Sequence, residues 1–500
     1  MNISDQIFEL VNYAIKNGLL REEDQTFAIS ALMDVMDVDS YEPNVAADEE
    51  RELHLILRDM LSYAAEQGRI DGESIVMRDL FDTRIMGVLT PPPSVVIDKF
   101  FELYQKSPAL ATDYFYSLAI SSNYVRADRI KKDLKWQVES EYGTIDITVN
   151  LSKPEKDPKA IALAGLAPQT DYPKCALCHE NEGFRGTVTK AARQTLRQIP
   201  FDMAGERWYL QYSPYVYYNE HCIALSKEHK PMSINTSTFA KLTDFTTVFP
   251  HYFIGSNADL PIVGGSILSH DHMQGGRYTF PIERAKEREK IEFYGFSDVY
   301  ASIVDWPMSV IRLRSADKNK INALADKILS VWRSYSDPDA FVFSHTDTTP
   351  HNTITPIARR RGEEYEMDLV LRNNITTDEH PMGVYHPHKE HHSIKKENIG
   401  LIEVMGLAVL PSRLKSEIEI MVSAILSERD FSDIPEIEKH KCWYLAFKDQ
   451  YAFTEENTES ILKEEIGKTF VRVLSDAGVY KNNDGGRVAF LRFINAVNRT

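Results

Sequence analysis

The apolar positions of this chain change period along its length. From Ile3 to about Gln67 they recur every three or four residues, as in IFELVNYAIKNGLL and ELHLILRDMLSYAAEQG, a spacing that predicts helices. Beyond the break at Pro91-Pro92-Pro93 lies a second helical stretch, SVVIDKFFELYQKSPALATDYFYSLAISSNYVRADRI, whose aromatics read as core. Near Trp136 the period becomes two, and GTIDITVNL alternates β-branched with polar residues as a half-buried strand does. WYLQYSPYVYY, HCIALSKEH and VGGSILSHDHMQGG predict further strands, with a helix at SINTSTFAKLTDFTTVF between the last two.

A second alternation of similar size runs from about Trp306 to Arg413. Its expected strands are PMSVIRLR, AFVFSHT, NTITPIARR and EMDLVLRNN, its helix is KINALADKILSVWRSYS, and a last helix begins near Asn398. The tail from about Ser427 is again helical, and Asn482-Asn483-Asp484-Gly485-Gly486 reads as a polar turn. The expectation is therefore an α+β chain: a helical extension over 1–135, αβ halves over 136–300 and 301–426, and a helical extension over 427–500. Two units of like size point to duplication, without a residue-by-residue repeat.

Bulk properties narrow the function. At 500 residues the chain is long for one core, and its formal charge of -17 argues against a general nucleic-acid binder. Anionic substrates stay open wherever local cations and backbone donors outweigh that field. The N-terminal MNISDQIFELVNYAIKNGLL lacks the basic start and apolar block of a signal peptide, and no apolar run is long enough for a bilayer. Four cysteines, two of them closely spaced, point to a reducing cytoplasm.

The stretch richest in chemistry is GGSILSHDHMQGG, residues 264–276. At the strand period His270, His272 and Gln274 share a face, and the flanking glycines let backbone N–H groups approach an anion. A neutral imidazole can attack phosphorus, so nucleotidyl transfer through a histidine is the sharp reading. The bland ones are metal ligands or surface histidines.

Cys175-Ala176-Leu177-Cys178 is a C-x2-C knuckle, and a tetrahedral zinc site needs two more ligands. His229 and His270 are the best sources. His179 lies too close to the knuckle, and His221 sits at the far end of its strand from His229. A thiol redox pair is the competing reading, although the usual strand-to-helix setting is missing. With His270 on the metal, His272 is left as the nucleophile.

Longer stretches carry a family resemblance: NYVRADRI, ITVNLSKPEKDPKAIA, CALCHENEGFRG, GGSILSHDHMQGGRY, TPHNTITPIARRRG and GVYHPHKEHHSIKKENIGLIEVMGLAVLPSRL. Over about residues 120–415 the chain resembles the galactose-1-phosphate uridylyltransferases, in their longer bacterial type 2 branch, relatives of the histidine triad superfamily. The resemblance implies two histidine-triad-like halves with mainly antiparallel sheet. It also implies exchange of UMP between UDP-glucose and galactose 1-phosphate through a covalent uridylyl-histidine, here on His272, with Gln274 bonding the α-phosphoryl oxygens. By the same resemblance Lys153, Lys156, Arg185, Asn257, Gly265, Ser266 and Lys396 contact nucleotide or sugar phosphate, and a homodimer is implied.

The match has departures. Asp271 stands where the shorter branch has proline, and it should point away from the site. That branch also holds iron through an H-x-H strand, and the corresponding Glu366-Met367-Asp368-Leu369-Val370-Leu371 lacks the pair, which argues against an iron site. The histidines at 380, 386, 388, 391 and 392 fit no tetrahedral set, so a substrate-binding loop is favoured there over metal. Two rival functions remain: a dinucleoside polyphosphate hydrolase or phosphorylase, and a noncatalytic zinc-organised nucleotide-binding protein.

Overall fold

The computed structural model describes residues 2–44, 51–70, 74–151, 171–265 and 267–500. The helical periodicity at the N-terminus becomes, among the described residues, seven α-helices between Ile3 and Ile130. Pro93 opens one of them, at the position where its missing N–H costs nothing. A hairpin follows, β1 (Leu134–Ser140) and β2 (Gly143–Val149).

The next five strands are β3 (Ile199–Met203), β4 (Glu206–Tyr212), β5 (Cys222–Ser226), β6 (Phe253–Gly255) and β7 (His272–Gly276). Then come β8 (Glu287–Ile291), β9 (Tyr300–Val304), β10 (Val310–Ser315), the two-residue β11 (His345–Thr346) and β12 (Thr349–Pro350), β13 (Asn352–Arg361), β14 (Glu364–Asn373) and β15 (Leu407–Leu410).

Ten of these strands form one sheet in the order β3-β4-β5-β7-β6-β13-β14-β10-β9-β8, every pair antiparallel. Read from each outer edge inward, both halves place their strands in the sequence order first, second, third, fifth, fourth. In both, a helix joins the third strand to the fourth: Thr236–Val248 in one and Lys318–Ser334 in the other. The halves meet where Ile357 pairs with Gly255 and Ala358 with Ile254. The duplication inferred from size is thus a duplication of topology.

The alternation of the strands sorts residues onto two faces. Met273, Ile254, Ala358 and Leu369 pack into a core with the two connecting helices. The opposite face presents Phe253, Ile357 and Val370 to a second core built with β1, β2, β15 and the helices Arg413–Leu426 and Thr458–Ala477.

Local departures have local causes. AFVFSHT is not one strand: Phe341 takes a left-handed φ of 56° after a short 3-10 turn, leaving only His345–Thr346 extended. The helix expected near Asn398 is split into Leu401–Val404 and Arg413–Leu426 by β15, which pairs in parallel with β2. The polar turn at Asn482 to Gly486 is a helix start, with Gly486 N–H donating to the Asn483 side chain at 2.8 Å.

Candidate active site and metal site

β7 starts at His272, so the expected long strand is shorter than its sequence pattern. His270 precedes it, and only His272 and Gln274 share the strand face, with Met273 and Gly275 directed to the core with the connecting helices. Asp271 points away from that face, as the alternation requires. Its carboxylate lies 3.4 Å from Lys241 Nζ on the helix Thr236–Val248.

His270 turns instead toward the knuckle. Its Nδ1 is 3.3 Å from Cys175 Sγ and 3.7 Å from Cys178 Sγ, while His229 Nδ1 is 3.1 Å from Cys178 Sγ and the two sulfurs are 3.6 Å apart. All four donor atoms lie within 4.8 Å of one another. Tetrahedral zinc, with bonds of about 2.0 to 2.3 Å, requires ligand-to-ligand edges of about 3.3 to 3.8 Å. The donor set therefore fits a metal ion. His270 Nε2 donates to Ser226 O at 2.9 Å, which fixes the tautomer that leaves Nδ1 as a ligand. Among the described residues no other such cluster forms.

His272 is 7% exposed, and its Nδ1 lies 2.8 Å from the carbonyl oxygen of His270. A carbonyl only accepts, so Nδ1 carries the proton and Nε2 the lone pair. Burial holds the imidazole down at about 4, so it is neutral near pH 7. Gln274 is two residues on, and its Oε1 is 3.0 Å from His221 Nε2. His221, set aside as a ligand from sequence, enters the site here. It precedes β5 with the same parity as Ile223, the residue that pairs with Gln274.

Asn257 is buried, its Oδ1 accepting from Leu401 N–H at 2.9 Å. Gly265 passes over its amide so closely that a Cβ would fall 2.7 Å from Nδ2. These two residues are brought together. Arg185 and Lys396 are exposed, whereas Lys395 is the buried neighbour, 2.9 Å from Glu403 Oε1. Lys153, Lys156 and Ser266 lie outside the described residues.

The strand corresponding to an H-x-H iron site presents Glu366 and Asp368. Gln274 pairs with Gly255, Gly255 with Ile357 and Ile357 with Asp368, so Asp368 stands in the row of Gln274. There Arg312 and Arg359 grip the carboxylates: Arg312 Nε is 2.7 Å from Asp368 Oδ1, and Arg359 Nη2 is 2.6 Å from Asp368 Oδ2. Two arginines occupy the carboxylates that a cation would need. In the histidine-rich loop, His388 and His391 flank Asp476 at 3.5 and 3.6 Å, and His392 and His386 bond to Pro387 O and Asn398 Oδ1.

A cavity of about 730 Å³ lies beside this face, lined by Arg126, Asn150, Arg193, Tyr217, Lys395 and Glu403 among others. Neither His272 nor Gln274 lines it. Tyr217 connects them, its ring centroid 5.5 Å from that of His221.

Residues 33–231 match the description "Galactose-1-phosphate uridyl transferase, N-terminal domain", and residues 245–444 match the C-terminal domain of the same family. The chain belongs to this family. The galactose-1-phosphate uridylyltransferase of Clostridium acetobutylicum is 51% identical over 495 residues, covering 99% of each chain. That of Bacillus subtilis is 46% identical over 502 residues, covering 99% of this chain and 98% of its own. Among solved structures, yeast Ap4A phosphorylase Apa2 aligns at 11% identity with a TM-score of 0.32, covering 66% of this chain and 91% of that one. No helix among the described residues is long and apolar enough to cross a membrane.

Proposed function

We propose that this family member exchanges a uridylyl group between UDP-glucose and galactose 1-phosphate, with Nε2 of His272 as the nucleophile. The observation that carries the reading is the bond between His272 Nδ1 and His270 O. It leaves a neutral imidazole with its lone pair on Nε2, which has no hydrogen-bond partner among the described residues. Nε2 forms a bond to the α-phosphorus, the bond from that phosphorus to the bridging oxygen breaks, and glucose 1-phosphate leaves with the electron pair. Galactose 1-phosphate then attacks the same phosphorus and expels the imidazole, giving UDP-galactose. No net proton transfer is required, in keeping with a nucleophile that is already neutral.

Gln274 would donate its amide N–H to the α-phosphoryl oxygens, and Asn257 beside Gly265 supports a further phosphate contact. Roles for Lys153, Lys156, Arg185, Ser266 and Lys396 rest on the motif resemblance alone. The Cys175, Cys178, His229 and His270 set would hold zinc. Four protein donors leave no open position, so the ion would anchor the chain just before His272 and take no part in bond making. Four cysteines that form no disulfide favour a reducing cytoplasm.

The test is intact-mass analysis after exposure to UDP-glucose alone, followed by galactose 1-phosphate. The expected result is a uridylyl adduct that the acceptor discharges as UDP-galactose. UDP-glucose consumed by water or inorganic phosphate, without the sugar phosphate, would favour the hydrolase or phosphorylase; binding without any adduct would favour the noncatalytic reading.

A further inference from the structure

His221 is 2% exposed and sits against Gln274 on the strand face that carries His272. Its ring is flanked by Tyr218 at 4.5 Å and Tyr217 at 5.5 Å between centroids. Tyr218 is itself fixed through its hydroxyl to Gly275 O at 3.1 Å. Ser213 N–H donates to His221 O at 2.8 Å and His221 N–H donates to Tyr218 O at 3.2 Å, so the backbone that carries the imidazole is held on both sides.

Among the described residues this ring has one polar contact. His221 Nε2 is 3.0 Å from Gln274 Oε1, and His221 Nδ1 is buried without a partner among them. Burial lowers this histidine to about 4, leaving one proton for two nitrogens at neutral pH. On Nδ1 that proton would be a buried orphan donor, which proteins avoid more strongly than an orphan acceptor. On Nε2 it bonds Gln274 Oε1. The carboxamide is then fixed with its oxygen toward His221 and its NH2 away from it. A flipped amide would present an oxygen to the phosphoryl anion.

We infer that His221 is a positioning residue for uridylyl transfer: its Nε2–H fixes the Gln274 carboxamide so that the amide NH2 faces the α-phosphoryl group. The inference rests on the role proposed for Gln274. It requires neither a charge on His221 nor contact with substrate, because the imidazole acts through one hydrogen bond.

The test compares His221→Gln, whose side-chain NH2 can take the place of the imidazole Nε2–H, with His221→Asn, whose shorter amide cannot reach it. Single-turnover uridylylation from UDP-glucose is measured for both, for Gln274→Ala, and for each His221 variant in the Gln274→Ala background. Misplacement of a donor to the transition state predicts a loss of about tenfold or more in the rate for His221→Asn, with the affinity for UDP-glucose little changed. His221→Gln should stay within about threefold of wild type, the cost of one imperfectly aligned hydrogen bond. In the Gln274→Ala background the two His221 variants should be indistinguishable. Equal losses for Gln and Asn, or a His221→Asn loss that persists undiminished without Gln274, would overturn the assignment. Gln274→Ala at the wild-type rate would instead overturn the role of Gln274, and this assignment with it.

Discussion

Nδ1 of His272 lies 2.8 Å from the carbonyl oxygen of His270, so the residue whose ring reaches the cysteine pair also fixes, through its backbone, the tautomer of the histidine two residues on. The candidate metal site and the proposed nucleophile share one short segment. They use different parts of it.

That separation predicts different phenotypes. His272→Ala removes the proposed nucleophile and leaves the four sulfur and nitrogen donors in place. Exchange should fall by at least about ten-thousandfold, as when a covalent nucleophile is deleted elsewhere. Intact-mass analysis should show no uridylyl adduct, and the melting temperature should stay close to wild type. An adduct of wild-type yield on the variant would remove His272 from the reaction.

Cys175→Ser should reverse the order of losses. Cys175 Sγ is 3.6 Å from Cys178 Sγ and 3.3 Å from His270 Nδ1, so its replacement takes away one of four donors. Elemental analysis should find metal content well below the about one ion per chain of a filled tetrahedral site, and thermal unfolding should shift downward. At low temperature the variant should still form the adduct. Metal-free wild type with an unchanged melting curve would refute a stabilising ion here.

Gly265→Ala tests how tightly Gly265 fits against Asn257. The new methyl would lie 2.7 Å from Asn257 Nδ2 and 2.9 Å from its Cγ. Asn257 cannot swing aside freely, because its Oδ1 holds Leu401 N–H at 2.9 Å. Moving it orphans a buried donor at roughly 1 to 3 kcal/mol. Passed on to the transition state, that cost is about fivefold to 150-fold in the catalytic efficiency kcat/KM, while metal content is unaffected. Wild-type kinetics for this variant would mean that the loop yields and that Asn257 has no exacting position.

What the sequence disclosed depended on how local each cause was. The knuckle, the H-x-H-x-Q segment and the long strands β13 and β14 carry their signal within a few residues, and the structure brings Cys175, Cys178, His229 and His270 within 4.8 Å of one another. β15 was hidden because Leu407–Leu410 is a short apolar run whose partner β2 lies some 260 residues earlier in the chain. His221 was hidden because its meaning lies in a cross-strand neighbour: at the start of the predicted strand HCIALSKEH, it shows no partner until Ile223 is registered against Gln274. Asn483 was misread for a subtler reason. Asparagine, aspartate and glycine serve turns and helix starts alike, and only the amphipathic run that follows decides between them.

The charge cluster on the second half of the sheet supplies the last prediction. Asp368 is fully buried between Arg312 and Arg359, both also buried, with Glu366 as a further acceptor 3.8 Å from Arg312 Nε. Burial would raise the Asp368 carboxyl, but the two guanidiniums outweigh it and hold the group down at about 2 from an ordinary 3.8. A folded value below the unfolded one contributes stability that is complete above about pH 4 and is lost as pH falls through about 2. Asp368→Asn leaves two buried cations facing one carboxylate, and breaking such a pair costs about 3 to 5 kcal/mol. The exposed pair of Arg207 and Asp202, at 47% and 62% exposure, is the control, and Asp202→Asn should cost no more than about 1 kcal/mol. Urea unfolding at pH 7 should therefore separate the two variants clearly. Between pH 4 and pH 2 the wild type should lose stability faster than Asp368→Asn, which no longer carries this carboxylate. Equal midpoints for the two variants at pH 7, or parallel acid losses for wild type and Asp368→Asn, would show that the arginines are satisfied without Asp368.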